Sequence, residues 1–259
     1  MRKFYLGIDI GGTNTRIVLL RGLRRQKVRV LTFKTPRSRK GVEAEVRKRI
    51  NDLTKGIKLS GIGVGVAGVV SQKRGQVMDA EHLRFLEGWN PVTFFNKEFH
   101  VPVKIENDAR CFLYAESLWG NARGKKNVLG IAIGTGIGGA IMVDGKMYRG
   151  AHEIAGEFGD LVVDGDKTFE NVSAKKAFER SGDRSAIIGR VLAGLISAFD
   201  PDLIVLGGGA VAIGKIKLPI LRHEARRLAV SGGVNTPIVF GKLGDAAQAV
   251  GAALLFRKK

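Results

Sequence analysis

The sequence contains a single cysteine, Cys111, and no apolar run long enough to cross a bilayer. One cysteine excludes an internal disulfide framework, and we expect Cys111 to be a small core residue. A membrane-spanning helix needs about 18 or more consecutive apolar residues. No signal-peptide pattern precedes the first apolar segment, which follows Met1-Arg2-Lys3 directly. We therefore expect a cytoplasmic protein with no membrane partner.

Acidic residues are few: 24 Asp and Glu stand against 43 Lys and Arg, a formal net charge of +19. Such an excess is typical of nucleic-acid-binding proteins, but it also attracts small anionic substrates. Aromatic residues make up only 7% of the chain, and none is interleaved with the basic runs as a base-stacking surface would require. We therefore expect a basic surface spread over the fold and no specific nucleic-acid site. The many Lys and Arg also fit a heat-adapted source.

The 259 residues fit one large domain or two small ones, and 36 glycines indicate many tight turns. A strand, glycine turn and second strand open the chain at 4–20, and the same pattern recurs at 128–148. Further strands and helices follow each copy. We expect helices around 42–53, 91–99, 109–119, 173–180, 184–199, 215–230 and 245–256. This weak repeat predicts an α/β protein of two lobes facing a cleft, where substrates usually bind.

The glycine turns point to phosphate binding. "GTGIGG" at 134–139 formally matches a dinucleotide motif, but a second strand follows where that motif needs a helix. What remains is a hairpin tip rich in backbone N–H groups with one hydroxyl, Thr135, and "DIGGTNTR" repeats it with Thr13. Each turn alone could be only a tight hairpin. Two equivalent turns, with "LGGGA" at 206–210 as a third, favour a nucleotide clamp.

Carboxylates accompany these turns. Asp9 lies in the first apolar strand, where burial of an unpaired charge costs several kcal/mol. "IEND" places Glu106, Asn107 and Asp108 at the end of another strand, where a helix begins. By itself Asp108 is explained as a helix N-cap. Beside two phosphate turns it becomes a candidate general base for a hydroxyl group. Alternation turns Glu106 to the opposite face from Asn107, so we expect it to matter less.

Several segments together resemble the ROK family of sugar kinases and repressors, part of the actin-like, hexokinase-like ATPase superfamily. They are "LGIDIGGTNTRIVLL", "GIGVGVAGVV", "IENDARCFLYAESLWG", "GIAIGTGIGGAIMVDGKMYRGAHEIAGEFG", "DPDLIVLGGG" and "LGDAAQAVGAALL". The resemblance covers nearly the whole chain and implies two actin-like, ribonuclease H-like lobes around a cleft. We place a small N-terminal lobe at 1–108 plus 245–259 and a larger C-terminal lobe at 109–244.

The resemblance also implies a function, an ATP-dependent transfer of phosphate to the 6-hydroxyl of glucose or a related hexose. Asp108 matches the family's catalytic aspartate. The implied sugar-binding residues are Asn107, Glu157, Glu170 and Gly68. Asp9 would lie near Mg²⁺, acting through water. The implied ATP-binding residues are Gly11, Gly12, Thr13, Thr135, Gly136, Gly207, Gly208 and Gly209. We also expect a homodimer.

The chain departs from the family in its sugar-recognition segment. Asp160 replaces the histidine of the family's ExGH motif, and three cysteines that would bind zinc are missing, so we expect no zinc. Packing could order this loop instead, through Phe158, Leu161, Val162, Val163 and Phe169. Because zinc normally shapes the loop, we expect several hexoses to be accepted.

Three alternatives to a hexose kinase remain. A ROK repressor would carry an N-terminal helix-turn-helix domain, for which a first strand near residue 4 leaves no room. A nucleic-acid-binding relative could use the positive charge, although it need not keep Asp9 and Asp108. A kinase for an acylamino sugar or fructose is the third.

Overall fold

The computed structural model describes most of the chain, namely residues 3–174, 177, 183–233 and 235–257. The chain divides into two compact units, which are described separately here. Unit 1 comprises Met1–Ala115 and Ala246–Lys259, and unit 2 comprises Glu116–Asp245. The sequence suggested a first boundary after residue 108, whereas the observed one falls inside the helix that begins at Asp108. In the described part of the chain, no helix combines the length and the apolar character that a bilayer crossing requires.

The strands, numbered in chain order, are β1 (Phe4–Ile10), β2 (Asn14–Arg21), β3 (Val30–Lys34), β4 (Leu59–Val66), β5 (Val69–Ser71), β6 (Gln76–Asp79), β7 (Val103–Asn107), β8 (Val128–Ile133), β9 (Ile137–Val143), β10 (Lys146–Tyr148), β11 (Val162–Asp164), β12 (Lys167–Thr168), β13 (Leu203–Gly207) and β14 (Ile238–Phe240). The helices are α1 (Arg39–Leu53), α2 (Pro91–Phe99), α3 (Asp108–Trp119), α4 (Phe169–Ser173), α5 (Ser185–Phe199), α6 (Gly209–Ala212), α7 (Leu218–Leu228) and α8 (Ala247–Leu254). Short 3-10 segments occur at Glu81–Leu86, Phe158–Asp160, Ser231–Gly233 and Gly244–Ala246. The helix expected at 173–180 falls largely outside the described residues.

Unit 1 is built on a five-stranded sheet in the order β3-β2-β1-β4-β7. The first three strands are antiparallel, whereas β1, β4 and β7 run parallel to one another. Parallel neighbours end at the same edge of a sheet, and ligands of open α/β sheets bind at such carboxyl ends. The register aligns Asp9 with Gly65 and Gly65 with Glu106, so the three residues form one row across this edge.

Helix α1 shows how the sequence builds the core of unit 1. Ser38 caps the helix, because its side chain accepts a hydrogen bond from the Gly41 N–H at 3.1 Å. Val42, Val46 and Ile50 recur at four-residue spacing and are fully buried. They belong to the same hydrophobic cluster as the alternate apolar residues of β1, such as Leu6, Ile8 and Ile10.

Helix α8 packs against the backbone of the sheet itself. A methyl group added to Gly7 of β1 would overlap the carbonyl oxygen of Ala249, and one on Gly63 of β4 would overlap that of Ala252. On its other side, Gly251 of α8 is equally close to the Cys111 carbonyl of α3. The glycines of the strands and the small residues of α8 are therefore needed for this close approach.

Unit 2 repeats the topology of unit 1, with a five-stranded sheet in the order β10-β9-β8-β13-β14. Again the first three strands are antiparallel and β8, β13 and β14 are parallel. Helix α5 buries Ile188, Leu192 and Ile196 at four-residue spacing in the core of this unit. The α/β class and the two sheet-containing lobes are thus confirmed.

The close packing of α8 gives a testable stability difference. We expect Gly63→Ala to lower the free energy of unfolding by about 1–3 kcal/mol or more, because its methyl group meets backbone that cannot rotate away. Gly194→Ala is the matched control, since Gly194 lies on the exposed side of α5 with no atom within 4 Å of an added Cβ. That change should be neutral or stabilise by up to about 1 kcal/mol. Thermal unfolding followed by circular dichroism measures both, and equal melting temperatures would contradict the packing argument.

Candidate active site

The buried charge of Asp9 is balanced by a residue on the neighbouring strand. Its side chain is 2% exposed, and Oδ2 accepts a hydrogen bond from Arg16 Nη1 at 3.4 Å. Arg16 lies directly opposite Asp9 in the antiparallel pairing of β1 and β2. Arg16 was not among the predicted site residues, although the register of the hairpin places it opposite Asp9. The pair holds the Asp9 carboxylate at the carboxyl end of β1, beside the turn.

The turn between β1 and β2 contains Gly11, Gly12 and Thr13. The Gly11 N–H donates to the Asn14 carbonyl at 3.1 Å and closes the tip. Thr35, which follows β3, holds the tip from outside. Its hydroxyl donates to the Gly11 carbonyl at 2.7 Å, and its N–H donates to the Thr13 carbonyl at 3.1 Å. The turn is therefore a fixed structure, as a phosphate-binding turn must be.

Asn107, rather than Asp108, caps helix α3. Its Oδ1 accepts the Arg110 N–H at 3.0 Å, and its Nδ2 donates to the Gly68 carbonyl at 3.0 Å. Asp108 therefore occupies the first helical position, and its Oδ1 accepts the N–H of Ala109 at 2.8 Å. The capping role that the sequence offered for Asp108 is thus filled by its neighbour. Gly68 is held close to Asn107, as the expected site requires.

The electrostatics of Asp108 suit a base. Burial raises the pKa of the Asp108 carboxyl above its usual value, while the Ala109 backbone N–H and the nearby His82 partly offset the rise. A raised pKa makes the ionised carboxylate a better proton acceptor. His82 belongs to the 3-10 segment Glu81–Leu86, and its Cβ lies 3.2 Å from where a Cβ on Gly12 would be. His82 therefore lies beside both the turn and Asp108, and no local sequence pattern indicates this position.

Glu106 is part of a buried network behind Asn107 and Asp108. Its Oε1 accepts the Asn107 N–H at 3.0 Å and Arg110 Nη1 at 3.3 Å. Its Oε2 accepts Gln72 Nε2 at 2.9 Å. Glu106 and Arg110 are each 1% exposed, so this is an internal ion pair. The sequence assigned Glu106 a minor part, but the network fixes the junction of β7 and α3 from which Asp108 projects.

The carboxylates at this edge also affect the neighbouring thiol of Cys111. Cys111 in the first turns of α3 is fully buried, as expected for a core cysteine. Burial, together with Glu106, Asp108 and Asp9, raises the pKa of the Cys111 thiol well above its usual value. The thiol is therefore neutral. Its environment also shows that Glu106, Asp108 and Asp9 lie near the start of α3, with Arg110 partly offsetting their charge.

The donors at this edge fit Mg²⁺. Magnesium prefers hard oxygen ligands and usually keeps several waters, with only one or two protein carboxylates. Asp9 provides such an oxygen at the edge, and Asp108 adds a second carboxylate near the same helix start. Among the described residues, no group of three or more His, Cys, Asp or Glu side chains is arranged to hold a metal ion. A magnesium ion here would thus rely on water and phosphate oxygens for most of its ligands.

In unit 2 the second glycine turn joins β8 to β9. The Gly134 N–H donates to the Gly136 carbonyl at 2.8 Å, and Thr135 at the tip is exposed. The third glycine segment lies on the neighbouring parallel strand. A Cβ on Gly134 would lie 3.9 Å from the Gly209 nitrogen, so the two segments are adjacent.

Gly208 separates β13 from α6 and shows why this third segment needs glycine. It has φ +90° and no room for a side chain, because the backbone of Ile133 lies against it. Gly207 precedes it as the last residue of β13. Unit 2 therefore brings together Thr135, Gly136 and Gly207–Gly209.

Glu157 and Glu170 also lie near the turn of unit 2. Glu170 Oε2 accepts the Ile137 N–H at 2.7 Å, at the first residue of β9. Glu157 directly precedes the 3-10 segment Phe158–Asp160, in which Gly159 packs against the Ile137 carbonyl. Both glutamates are half-buried. The structure thus brings the two predicted sugar-binding carboxylates to the same end of β9.

The loop between these glutamates is only partly packed. Phe158 and Phe169 are buried, at 4% and 0% exposure. Leu161, Val162 and Val163 are exposed, so the prediction that all five residues pack together is wrong for these three. They belong to or adjoin the small hairpin of β11 and β12, which pairs with no other strand in the described part of the chain. A two-stranded hairpin has only one layer and cannot bury both of its faces.

Comparisons with known proteins identify the family to which the chain is similar. The ROK family model matches residues 5–172 and 166–259. A glucokinase of Streptomyces coelicolor is 25% identical over 98% of this chain and 97% of that protein. An N-acetyl-D-glucosamine kinase of Photobacterium profundum is 26% identical over 98% of this chain and all of that protein.

Solved structures share the fold. A ROK family glucokinase from Streptomyces griseus, crystallised with glucose and AMPPNP, has a TM-score of 0.87 and 24% identity, over 99% of this chain and 100% of that one. Since the family model covers nearly the whole sequence, the chain belongs to the ROK family.

Proposed function

We propose that the protein, a sugar kinase of the ROK family, transfers the terminal phosphoryl group of ATP to the 6-hydroxyl of glucose or a related hexose. The observation that carries this proposal is Asp108. It occupies the first position of α3 with a pKa raised by burial, while Asn107 performs the capping. A carboxylate released from the capping role and made more basic is suited to accept a hydroxyl proton.

The residues around Asp108 supply its positioning. The Glu106–Arg110 pair and Gln72 hold the β7–α3 junction, so the carboxylate has a defined place before substrate arrives. The side-chain nitrogen of Asn107 gives one hydrogen to Gly68 and has a second for a sugar hydroxyl. Glu157 and Glu170 of unit 2 are the further candidate acceptors for sugar hydroxyls.

The phosphates of ATP are assigned to the glycine turns. Gly11, Gly12 and Thr13 would contact the transferred phosphate, and Thr135 with Gly136 would hold the others. Gly207–Gly209 would lie against the adenosine. Asp9 would hold Mg²⁺ through water, and the ion would neutralise negative charge on the phosphate oxygens. Arg16 holds the Asp9 carboxylate in place through a hydrogen bond.

A kinase for an acylated amino sugar is the second candidate. The N-acetyl-D-glucosamine kinase of Photobacterium profundum is as similar to this chain as the Streptomyces coelicolor glucokinase, at 26% and 25% identity. Overall similarity therefore does not choose between the two sugars.

A sugar panel decides between these candidates. We expect phosphorylation of glucose and at least one further hexose, because three residues of the recognition loop are exposed and constrain the sugar weakly. Glucose, mannose, fructose and N-acetylglucosamine are each supplied with ATP and Mg²⁺, and kcat/KM is measured. Selection of N-acetylglucosamine over glucose would favour the second candidate. Strict selection of one hexose would contradict the expected breadth.

Asp108→Asn tests the base. We expect kcat to fall about 10²- to 10⁴-fold, with sugar affinity and melting temperature nearly unchanged. The matched control is Asp52→Asn on the exposed side of α1, which should keep full activity. In the parent enzyme, activity should fall as pH drops through the raised pKa of Asp108, since the protonated carboxyl cannot accept a proton. Near-parental turnover of Asp108→Asn would rule out this role.

Asp9→Asn tests the magnesium assignment. Removing the carboxylate should lower kcat about 10- to 100-fold and raise the Mg²⁺ concentration needed for half-maximal rate. Sugar binding, measured by calorimetry without ATP, should change little. Asp79→Asn, an exposed change on β6, is the control. Equal losses of sugar affinity and rate would instead identify Asp9 as a structural partner of Arg16.

A further inference from the structure

Two threonines are buried against each other behind the first glycine turn. Thr15 of β2 is 0% exposed, and Thr35, the residue after β3, is 5% exposed. Their hydroxyl oxygens are 3.0 Å apart. Valine has the same shape and fills a buried strand position without needing a hydrogen-bond partner. Packing alone therefore does not account for two hydroxyl groups at this place, so their hydrogen bonds have to.

The direction of these hydrogen bonds follows from the number of protons. The Thr35 hydroxyl lies 2.7 Å from the Gly11 carbonyl oxygen, which can only accept, so Thr35 donates its single proton there. Thr15 must then donate to the Thr35 oxygen. A chain of hydrogen bonds thus runs from Thr15 through Thr35 to the Gly11 carbonyl, and each bond polarises the next. The chain ends on the backbone of the turn.

Thr35 holds the turn at a second point as well. Its backbone N–H donates to the Thr13 carbonyl at 3.1 Å. One residue therefore binds the carbonyls of both neighbours of Gly12. Gly12 has no side chain to restrict its backbone, and by itself it would sample many conformations. The two contacts from Thr35 limit that freedom.

Thr35 itself is fixed by the segment that follows it. Pro36 restricts the residue before it to extended backbone. Pro36 also packs against the first turn of α1, because a Cβ on Gly41 would lie 2.9 Å from the Pro36 Cβ. Ser38 then caps the helix. The segment between β3 and α1 is therefore anchored at both ends and presents Thr35 to the turn in one place.

The geometry of the peptide bond links this anchoring to the placement of a donor. The Gly11–Gly12 peptide is trans. The Gly11 carbonyl and the Gly12 N–H therefore point in opposite directions. With the carbonyl held toward Thr35, the Gly12 N–H is directed to the other side of the turn. Backbone N–H groups at such a tip are the donors that hold phosphate oxygens.

We propose that Thr35 is a positioning residue for phosphoryl transfer. Its hydroxyl and its N–H hold the turn so that the Gly12 N–H already points at the terminal phosphate when ATP binds, and Thr15 supports the hydroxyl. A donor oriented in advance stabilises the transferring phosphoryl group without first having to reorganise. This inference rests on the proposed function, because it concerns the turn assigned there to the transferred phosphate.

Thr35→Val tests the proposal, since it removes the hydroxyl but keeps the side-chain shape and the backbone N–H. Outright loss of one transition-state donor costs about 10²- to 10³-fold in kcat, and a misdirected donor should cost about 10- to 100-fold. Affinity for the ATP analogue AMPPNP, measured by calorimetry with Mg²⁺, should fall about tenfold. Affinity for ADP should change less than about twofold, because ADP lacks the terminal phosphate. Thr35→Ser keeps a hydroxyl and should restore kcat to within about threefold of the parent.

Two further variants separate positioning from stability. Thr35→Val alone leaves the Thr15 hydroxyl buried without its acceptor, so the melting temperature should fall. Thr15→Val/Thr35→Val also removes that buried donor and should regain part of the melting temperature, but not kcat or AMPPNP affinity. The matched control is Thr54→Val, which removes another hydroxyl-to-carbonyl hydrogen bond of unit 1, at 2.8 Å to Ile50. It should leave the ratio of ADP affinity to AMPPNP affinity unchanged.

The outcomes distinguish this inference from the proposed function. Parental kcat and AMPPNP affinity in Thr35→Val, or equal losses of ADP and AMPPNP affinity, would overturn the role of Thr35 and leave the kinase function intact. Recovery of kcat together with melting temperature in the double variant would overturn it too. If the parent phosphorylates no sugar but binds AMPPNP, the proposed function fails, and the comparison of the two nucleotides still decides the role of Thr35. A parent that does neither would overturn both.

Discussion

The contact of α8 with the backbone of β1 and β4 is the constraint on which unit 1 depends. Gly7 and Gly63 leave no space between strand and helix, and Gly251 brings the same helix against α3. Residues near the end of the chain therefore complete a unit that its beginning starts. Further along β4, Gly65 aligns with Asp9 of β1 and Glu106 of β7. The packing that closes the unit thus also sets the position of the strand ends that carry the candidate site.

Burying carboxylates at those strand ends costs free energy, and two of the three have partners that reduce this cost. Asp9 has Arg16, and Glu106 has Arg110 and Gln72. Asp108 is different, because burial raises the pKa of its carboxyl. Breaking a buried ion pair typically costs about 3–5 kcal/mol. The two paired acids therefore stabilise the strand ends, and Asp108 is the acid to which we assign proton transfer.

Sequence patterns predicted the fold well where they depend on local structure. The glycine turns, the hairpins on either side of them and the four-residue spacing of α1 all follow from neighbouring residues. The cap of α3 was assigned less well, since either Asn107 or Asp108 satisfies the same pattern and only the hydrogen bond from the Arg110 N–H to Asn107 Oδ1 separates them. Arg16, Gln72 and His82 were missed because their roles depend on strand register and on loops folding back. The exposure of Val162 depends on the absence of a covering layer, which no local pattern reveals.

The distribution of acids explains the charge of unit 1 as a whole. Only 10 Asp and Glu occur in unit 1, and Asp9, Glu106 and Asp108 are three of them, placed at the strand ends. Few acids remain to balance the basic residues on the surface of unit 1, so this surface carries an excess of positive charge. Such a field raises the local concentration of anions such as ATP and is weakened by salt. At the strand ends Arg16 and Arg110 offset the charge of Asp9 and Glu106, so the positive surface, rather than these acids, dominates what an approaching anion meets at long range.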